Sequence, residues 1–267
     1  MDKPLLLFLK LGGSLITDKN QISSPRMDII KQIAREISDQ SSQTPHINLL
    51  IGHGSGSFGH VPGKKYNTRQ GVSSSSDWKG FTEVWREARR LNQIVSEALM
   101  DAGLPVIAFP PSAIYCSSFG KVKTGFINNI QSAITHGIIP LVNGDVIFDD
   151  TIGGTILSTE EIFSHLASKL HPDRILLAGI EKGVWEDFPV CKKMIPVITP
   201  YTYNGILAKL GGSIQVDVTG GMLAKVDCML NLIKKDKNIE ALIFSGEQKG
   251  NITSAFLDTM PGTIIRK

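Results

Sequence analysis

Short, nearly continuous apolar runs alternate along this chain with longer stretches whose apolar residues recur every three or four positions. Leu5–Leu9 reads as a strand, and Met27–Gln40 as a helix with Ile29, Ile30, Ile33 and Ile37 on one face. Ile47–Ile51 is a second strand, and Phe81–Ala102 a long helix closed by Gly103 and Pro105. Val106–Phe109 is a strand stopped by Pro110-Pro111, and Asn129–His136 a helix capped by Gly137. Ile138–Val142 is a strand running into Asn143-Gly144-Asp145. Val146–Phe148 and Thr155–Leu157 make a candidate hairpin around Asp149–Gly154. A helix over Glu160–Leu170, a strand over Arg174–Ala178, a helix over Leu223–Lys234 and a strand over Ala241–Phe244 complete the pattern.

Strands that are apolar on both faces belong in a parallel sheet covered by helices on each side. The pattern therefore predicts an α/β protein, a three-layer αβα sandwich with a mainly parallel central sheet. A division near His171-Pro172-Asp173 would separate a lobe of residues 1–170 from one of residues 171–267. The stretch Tyr66–Asp77, with its run Ser73–Ser76, reads as a mobile loop.

A length of 267 residues suffices for one large domain or two small lobes. A formal net charge of +3, with no large basic block, argues against nucleic acid as a partner. The densest basic stretch, Lys234-Lys235-Asp236-Lys237, reads as a solvated helix end. Cys116, Cys191 and Cys228 are far apart and show no metal-ligand spacing, so neither a zinc site nor a disulfide framework is expected. Lys10 cuts off the first apolar run, and no segment reaches the ~18–20 apolar residues of a membrane span. A cytoplasmic protein without a membrane partner is the expectation.

The candidate chemistry lies in three glycine-rich turns. Lys10-Leu11-Gly12-Gly13-Ser14 follows the first strand, and His53-Gly54-Ser55-Gly56-Ser57-Phe58-Gly59-His60 follows the second. Asp217-Val218-Thr219-Gly220-Gly221-Met222 lies near the end, with Lys225 just beyond. Bare backbone amides at glycine turns bind anionic oxygens, because no Cβ blocks close approach. Three such turns with lysines suggest a site that grips a polyphosphate, hence phosphoryl transfer. Gly54-x-Gly56-x-x-Gly59 has the form of a dinucleotide fingerprint, but that needs a helix to begin inside it. Pro62 and Gly63 are expected to end any such helix early, and Asp77 follows serines rather than a strand. Gly59, Gly63 and Lys64 have the wrong spacing for a P-loop. His53 reads as a structural histidine that satisfies backbone groups.

Taken in order, these motifs resemble the amino acid kinase superfamily: Lys10-x-Gly12-Gly13-Ser14, His53 to His60, Gly144-Asp145, and Asp217 to Lys225. His60 and Lys19 narrow the resemblance to isopentenyl phosphate kinases, with fosfomycin kinases as relatives. The resemblance implies ATP with Mg²⁺ as donor, isopentenyl phosphate as acceptor, and a homodimer formed through the N-terminal lobe. No protein ligand set for the metal can be read. Lys10 is then a contact to the transferring phosphate, Lys19 a transition-state stabiliser, and Asp145 the carboxylate that holds lysines in register. His60 would hydrogen-bond the acceptor phosphate. Such a role suits a side chain that donates to a dianion at neutral pH. Gly12, Gly13, Ser14, Gly56, Thr219, Gly220, Gly221 and Lys225 would meet the nucleotide phosphates. Gly54, Ser55, Gly59 and Thr159 would meet the acceptor. Phe81 and Trp85, with Trp78 and Phe109, would enclose a branched five-carbon tail.

The chain departs from the pattern at three places. Ser55 replaces a glycine or alanine, and Ser158-Thr159-Glu160-Glu161 replaces Ser-Gly-Asp-Asp. Ala178–Val184 replaces a Thr-Asp-Val-Asp-Gly-Val segment that helps bind nucleotide, so either Glu181 substitutes for the lost carboxylate or the base and ribose are held differently. A kinase for another small phosphate or phosphonate, and a nucleotide-binding regulator without catalysis, are the rival readings.

Overall fold

The computed structural model describes residues 4–210, 221–259 and 261–267. Among them one eight-stranded sheet spans the molecule. From edge to edge its strands are β12 (Val197–Ile198), β14 (Gly262–Ile265), β13 (Glu240–Ser245), β9 (Arg174–Gly179), β1 (Leu5–Leu11), β2 (Ile47–His53), β6 (Ile139–Asn143) and β3 (Val106–Ala108). Every neighbouring pair is parallel except β13 with β14.

Alternation along β1 explains the layers. Leu7, Leu9 and Leu11 point to one face, and Leu6 and Phe8 to the other, all of them buried. The first face packs on α2 (Met27–Gln43), α4 (Ser75–Asp101) and α10 (Asn251–Phe256). The second packs on α6 (Asn128–Thr135), α7 (Thr159–Leu170) and α9 (Gly221–Lys235), with the Phe8 and Phe163 rings edge to face at 5.2 Å. This is the expected three-layer sandwich. The sheet runs unbroken across the expected division, since Leu7 to Leu11 of β1 pair with Arg174 to Ala178 of β9.

A second sheet sits over one end, in the order β5 (Lys121–Gly125), β4 (Tyr115–Ser118), β7 (Asp145–Asp149) and β8 (Gly153–Leu157). The β7–β8 hairpin matches the sequence reading. The short and largely polar β4 and β5 carried no apolar period to reveal them. A small ribbon pairs β10 (Val184–Trp185) with β11 (Met194–Ile195). The short helices are α1 (Gly13–Ile16), α3 (Gly56–Lys65), α5 (Pro111–Ile114) and α8 (Tyr203–Leu210).

Two local expectations are corrected. The serine run is ordered: Ser74 caps α4 in a reciprocal capping box with Asp77, so the helix starts at Ser75 rather than Phe81. The residues before it form a 3₁₀ turn, Thr68–Gln70, and Val72 N–H bonds Ile152 O at 2.8 Å. Likewise, a helix does begin inside the second glycine turn. α3 opens at Gly56 and runs through Pro62 to Lys65, with the Tyr66 amide donating to Pro62 O at 3.1 Å. Packing of buried Phe58 into the core offsets the hydrogen bond that proline cannot donate. No helix among the described residues is long and apolar enough to cross a membrane.

Candidate active site

The carboxyl ends of β1, β2 and β9 lie side by side, Lys10 opposite both Gly52 and Leu177. Open α/β sheets place ligands at this end of their strands. Lys10 shares its face with Leu6 and Phe8, so its side chain is directed to the α7 layer. There its ammonium pairs with the Glu160 carboxylate, both side chains largely shielded from solvent. Ser158 caps α7 and Glu161 returns the bond, which sets Glu160 in the first helical turn. Burial pushes the Glu160 carboxyl up, but the charge and hydrogen bond of Lys10 and the charge of Lys225 outweigh it, leaving it below its usual range. Lys225 is half-buried near the start of α9.

The carboxylate that pairs with Lys10, and whose charged form the Lys225 charge also favours, is therefore Glu160 rather than Asp145. Asp145 is buried at the head of β7, where its Oδ1 accepts from the Val146 amide at 2.8 Å. Burial raises its carboxyl to about 7. Sequence reasoning noted Glu160 only as part of a departure. The signal that could have found it was the Ser158-x-x-Glu161 capping box, which fixes the helix start and turns residue 160 toward β1. Glu161 is engaged elsewhere, receiving both guanidinium nitrogens of Arg69 at 2.8 and 3.2 Å.

The first two glycine turns lie on each other. A Cβ at Gly13 would meet Gly56 N at 2.5 Å, and one at Gly54 would meet Gly13 N at 2.8 Å. Gly56 has φ +48°, and a Cβ there would come within 2.1 Å of Thr17 Oγ1. That hydroxyl donates to Gly13 O at 2.7 Å and accepts from the Ser57 amide at 3.0 Å. These glycines are thus required by the contact of one turn with the other. Gly12 ties the pair to β9, its amide donating to Ala178 O at 2.8 Å. Ser14 is half-buried in α1. Ser55 takes ordinary helical backbone angles as the N-cap of α3, so its departure from glycine costs no strain. Gly59 leaves it room, since a Cβ there would lie 2.4 Å from Ser55 Oγ.

His60 is exposed on α3, and Lys19 is exposed in the turn between Thr17 and Pro25. His53 is fully buried, with Nδ1 donating to Gly54 O at 3.1 Å and Nε2 accepting from Asn92 at 3.0 Å. Burial lowers its imidazole to about 4, so it is neutral and structural. The Thr159 hydroxyl donates to His53 O at 2.7 Å. Its proton therefore clasps α7 to β2 and is not offered to an acceptor. Thr219 and Gly220 lie outside the described residues, while Gly221 opens α9.

Phe81 is buried with Val72, Val84 and Val146, and Trp78, Trp85 and Ile156 pack around them. The Phe81 ring stacks obliquely on Phe148 at 5.2 Å and meets Trp78 edge to face at 5.3 Å. Phe109 does not join this cluster; it packs against the α7 and α9 layer. A cavity of about 500 Å³ opens beside the cluster, lined by Tyr66, Val72, Asp77, Ile152 and Gly153 among others. Glu181 is not a free replacement carboxylate, because it accepts from the Trp185 indole at 2.9 Å.

A model of the amino acid kinase family matches residues 6–245, nearly the whole chain. The chain belongs to the amino acid kinase family. Among relatives, an isopentenyl phosphate kinase of Methanocaldococcus jannaschii is 34% identical over 98% of both chains. One of Methanothermobacter thermautotrophicus is 30% identical over 94% of this chain and 95% of its own. A solved isopentenyl phosphate kinase structure superposes with a TM-score of 0.82 at 28% identity, covering 97% of this chain and 99% of that one. A kinase of this family must hold the phosphates of its nucleotide. The stacked turns and the Lys10–Glu160 pair, with the Lys225 charge near enough to lower the Glu160 carboxyl, lie at the carboxyl ends of the central strands and suit that task. Among the described residues no group of three His, Cys, Asp or Glu side chains could hold a metal ion.

Proposed function

We propose that this chain transfers the γ-phosphoryl group of Mg-ATP to isopentenyl phosphate, giving isopentenyl diphosphate and ADP in isoprenoid biosynthesis. The reading is carried by end-to-end likeness to isopentenyl phosphate kinases, joined to a buried Lys10 paired with Glu160. The nucleophile is an acceptor phosphate oxygen. It forms a bond to the γ-phosphorus as the bond to the β-phosphate oxygen breaks, and ADP leaves with the electron pair. No strong base is needed; the demand is to hold two anions in line and offset their charge. Lys10 and Lys225 meet the phosphates as compact mobile cations. Glu160 keeps the two lysines together without letting both charges repel. Lys19 stabilises the transition state, and His60 donates to the acceptor phosphate. Gly12, Gly13, Ser14, Gly56, Thr219, Gly220 and Gly221 serve the nucleotide; Gly54, Ser55 and Gly59 serve the acceptor. Mg²⁺ arrives with the nucleotide as part of the substrate. Phe81 and Trp85 wall the five-carbon tail.

On this reading residues 1–170 carry the acceptor side and a homodimer surface, residues 171–267 carry the nucleotide side, and the enzyme works in the cytoplasm. A coupled ADP-release assay with Mg-ATP tests it. Release with isopentenyl phosphate and not with fosfomycin is expected, and His60→Ala should lose most turnover while ATP still binds. Release with fosfomycin alone would move the acceptor assignment. ATP binding with neither acceptor turned over would favour a regulator.

A further inference from the structure

α4 buries an apolar stripe that includes Phe81, Val84, Ala88, Leu91 and Val95. One carboxylate, Glu87, interrupts that stripe and is itself buried. A buried carboxylate is costly unless hydrogen-bonded or paired. Its partners here are specific. Oε2 accepts from the Ser23 hydroxyl at 2.8 Å, Arg90 approaches at 3.1 Å, and Arg86 at 3.4 Å. Arg90 in turn lies over the Phe58 ring of α3, 5.9 Å from its centroid.

Ser23 belongs to the loop that carries Lys19. The loop is closed at its base by the Thr17–Pro25 bridge and by the Asp18 amide donating to Ser24 O at 2.9 Å. Its tip is exposed, Ile22 being 73% accessible. Ser23 adopts φ +49°, the left-handed region that a residue with a Cβ enters at a cost. Such a conformation persists where its surroundings over-determine it. Those surroundings are Glu87 and Ser57, whose carbonyl accepts the Ser23 amide at 3.4 Å. Both anchors belong to the elements that frame the second glycine turn.

We propose that Glu87 is a positioning residue: through Ser23 it fixes the Lys19 loop over the acceptor turn, so that the Lys19 charge meets the phosphoryl group in transit. The inference rests on the role given to Lys19 under the proposed function. Glu87 and Ser23 touch no substrate themselves. Loss of the Ser23 bond lets the loop sample other positions without removing any group from the floor that binds ATP.

Steady-state kinetics of Ser23→Ala, Glu87→Ala and Glu87→Gln, alone and combined with Lys19→Ala, provide the test, with melting temperatures recorded for each. Ser23→Ala should lower kcat about five- to tenfold, as loss of one hydrogen bond allows, with both KM values unchanged. Glu87→Ala should lower it further. Glu87→Gln retains an acceptor for Ser23 and should recover most of the rate. In the Lys19→Ala background Ser23→Ala should add nothing, the non-additivity of residues that act as a unit. An impaired Lys19→Ala beside a wild-type Ser23→Ala and Glu87→Ala would overturn the positioning role alone. So would an equal Ser23→Ala loss in both backgrounds, or a drop in melting temperature without a kcat effect. A fully active Lys19→Ala would instead remove Lys19 from the mechanism, and this inference with it.

Discussion

Asp145 is buried and Glu160 largely shielded near the carboxyl end of the sheet, and their environments drive the two carboxyls in opposite directions. Glu160 faces Lys10 and Lys225, and its carboxyl lies below the usual range despite burial. Asp145 has a backbone amide for a partner, and burial lifts it to about 7. Burial is common to both, so burial does not decide the charge; the neighbouring ammonium groups do. Position at a strand end after glycine marked Asp145 as the organiser, but proximity to lysine gives that work to Glu160.

The sharpest way to break the contrast is Glu160→Gln. It takes from Lys10 its paired counter-charge, and turnover should fall about a hundredfold or more. Removing one partner of a buried pair should also cost about 3–5 kcal/mol in denaturant unfolding. The acid limb of stability provides a sign check. A depressed carboxyl contributes stability that is present above its unfolded value and lost as pH falls through its folded one. Wild type should therefore lose this contribution below about pH 4.5, and Glu160→Gln should lack that part of the slope.

Asp145→Asn should do the reverse. A raised carboxyl contributes stability that is full below its unfolded value near pH 4 and is lost as pH rises through about 7. The variant should lack that decline and gain on wild type by about 3–4 kcal/mol at pH 8, measured by urea unfolding. An Asp145→Asn protein that is less stable at pH 8 than at pH 5 by the wild-type margin would break the comparison.

His53 sharpens it with a base. Neutral in its pocket, it depends on Asn92 for its Nε2 bond. Asn92→Leu should cost about 1–3 kcal/mol by leaving that buried acceptor unpaired, seen as a lower melting temperature. The smallest effect is expected at the helix cap. Ser158→Ala removes the bond that begins α7 two residues before Glu160, for a loss of about 1 kcal/mol in the same measurement.

Much of the fold was legible because β1, β2, β6, β9 and β13 are apolar on both faces and the helices between them keep a clear period. The polar strands β4 and β5 were not, since pairing with β7 and each other, rather than burial of an apolar face, defines them. The serine run reads as a loop because serine is a poor mid-helix residue, although at Ser74 it is a strong cap. Pro62 misled for a related reason: its cost in a helix is real, but the buried ring of Phe58 outweighs it. At the site, the places of Lys10 and of the first two glycine turns at strand ends, and the structural role of His53, followed from local sequence. The engagement of Glu160 with Lys10, of Thr159 with His53 and of Glu181 with Trp185 did not. The first two join residues more than a hundred positions apart, and all three depend on how the elements meet.

The contact of Gly13 with Gly54 and Gly56 also acts as a ruler. With no side chain on the glycines where the two turns meet, their spacing is a backbone dimension, set by amide and carbonyl radii and fastened by the Thr17 hydroxyl. Drift in side chains other than Thr17 leaves that spacing untouched, whereas a single methyl group at Gly13 or Gly56 would change it.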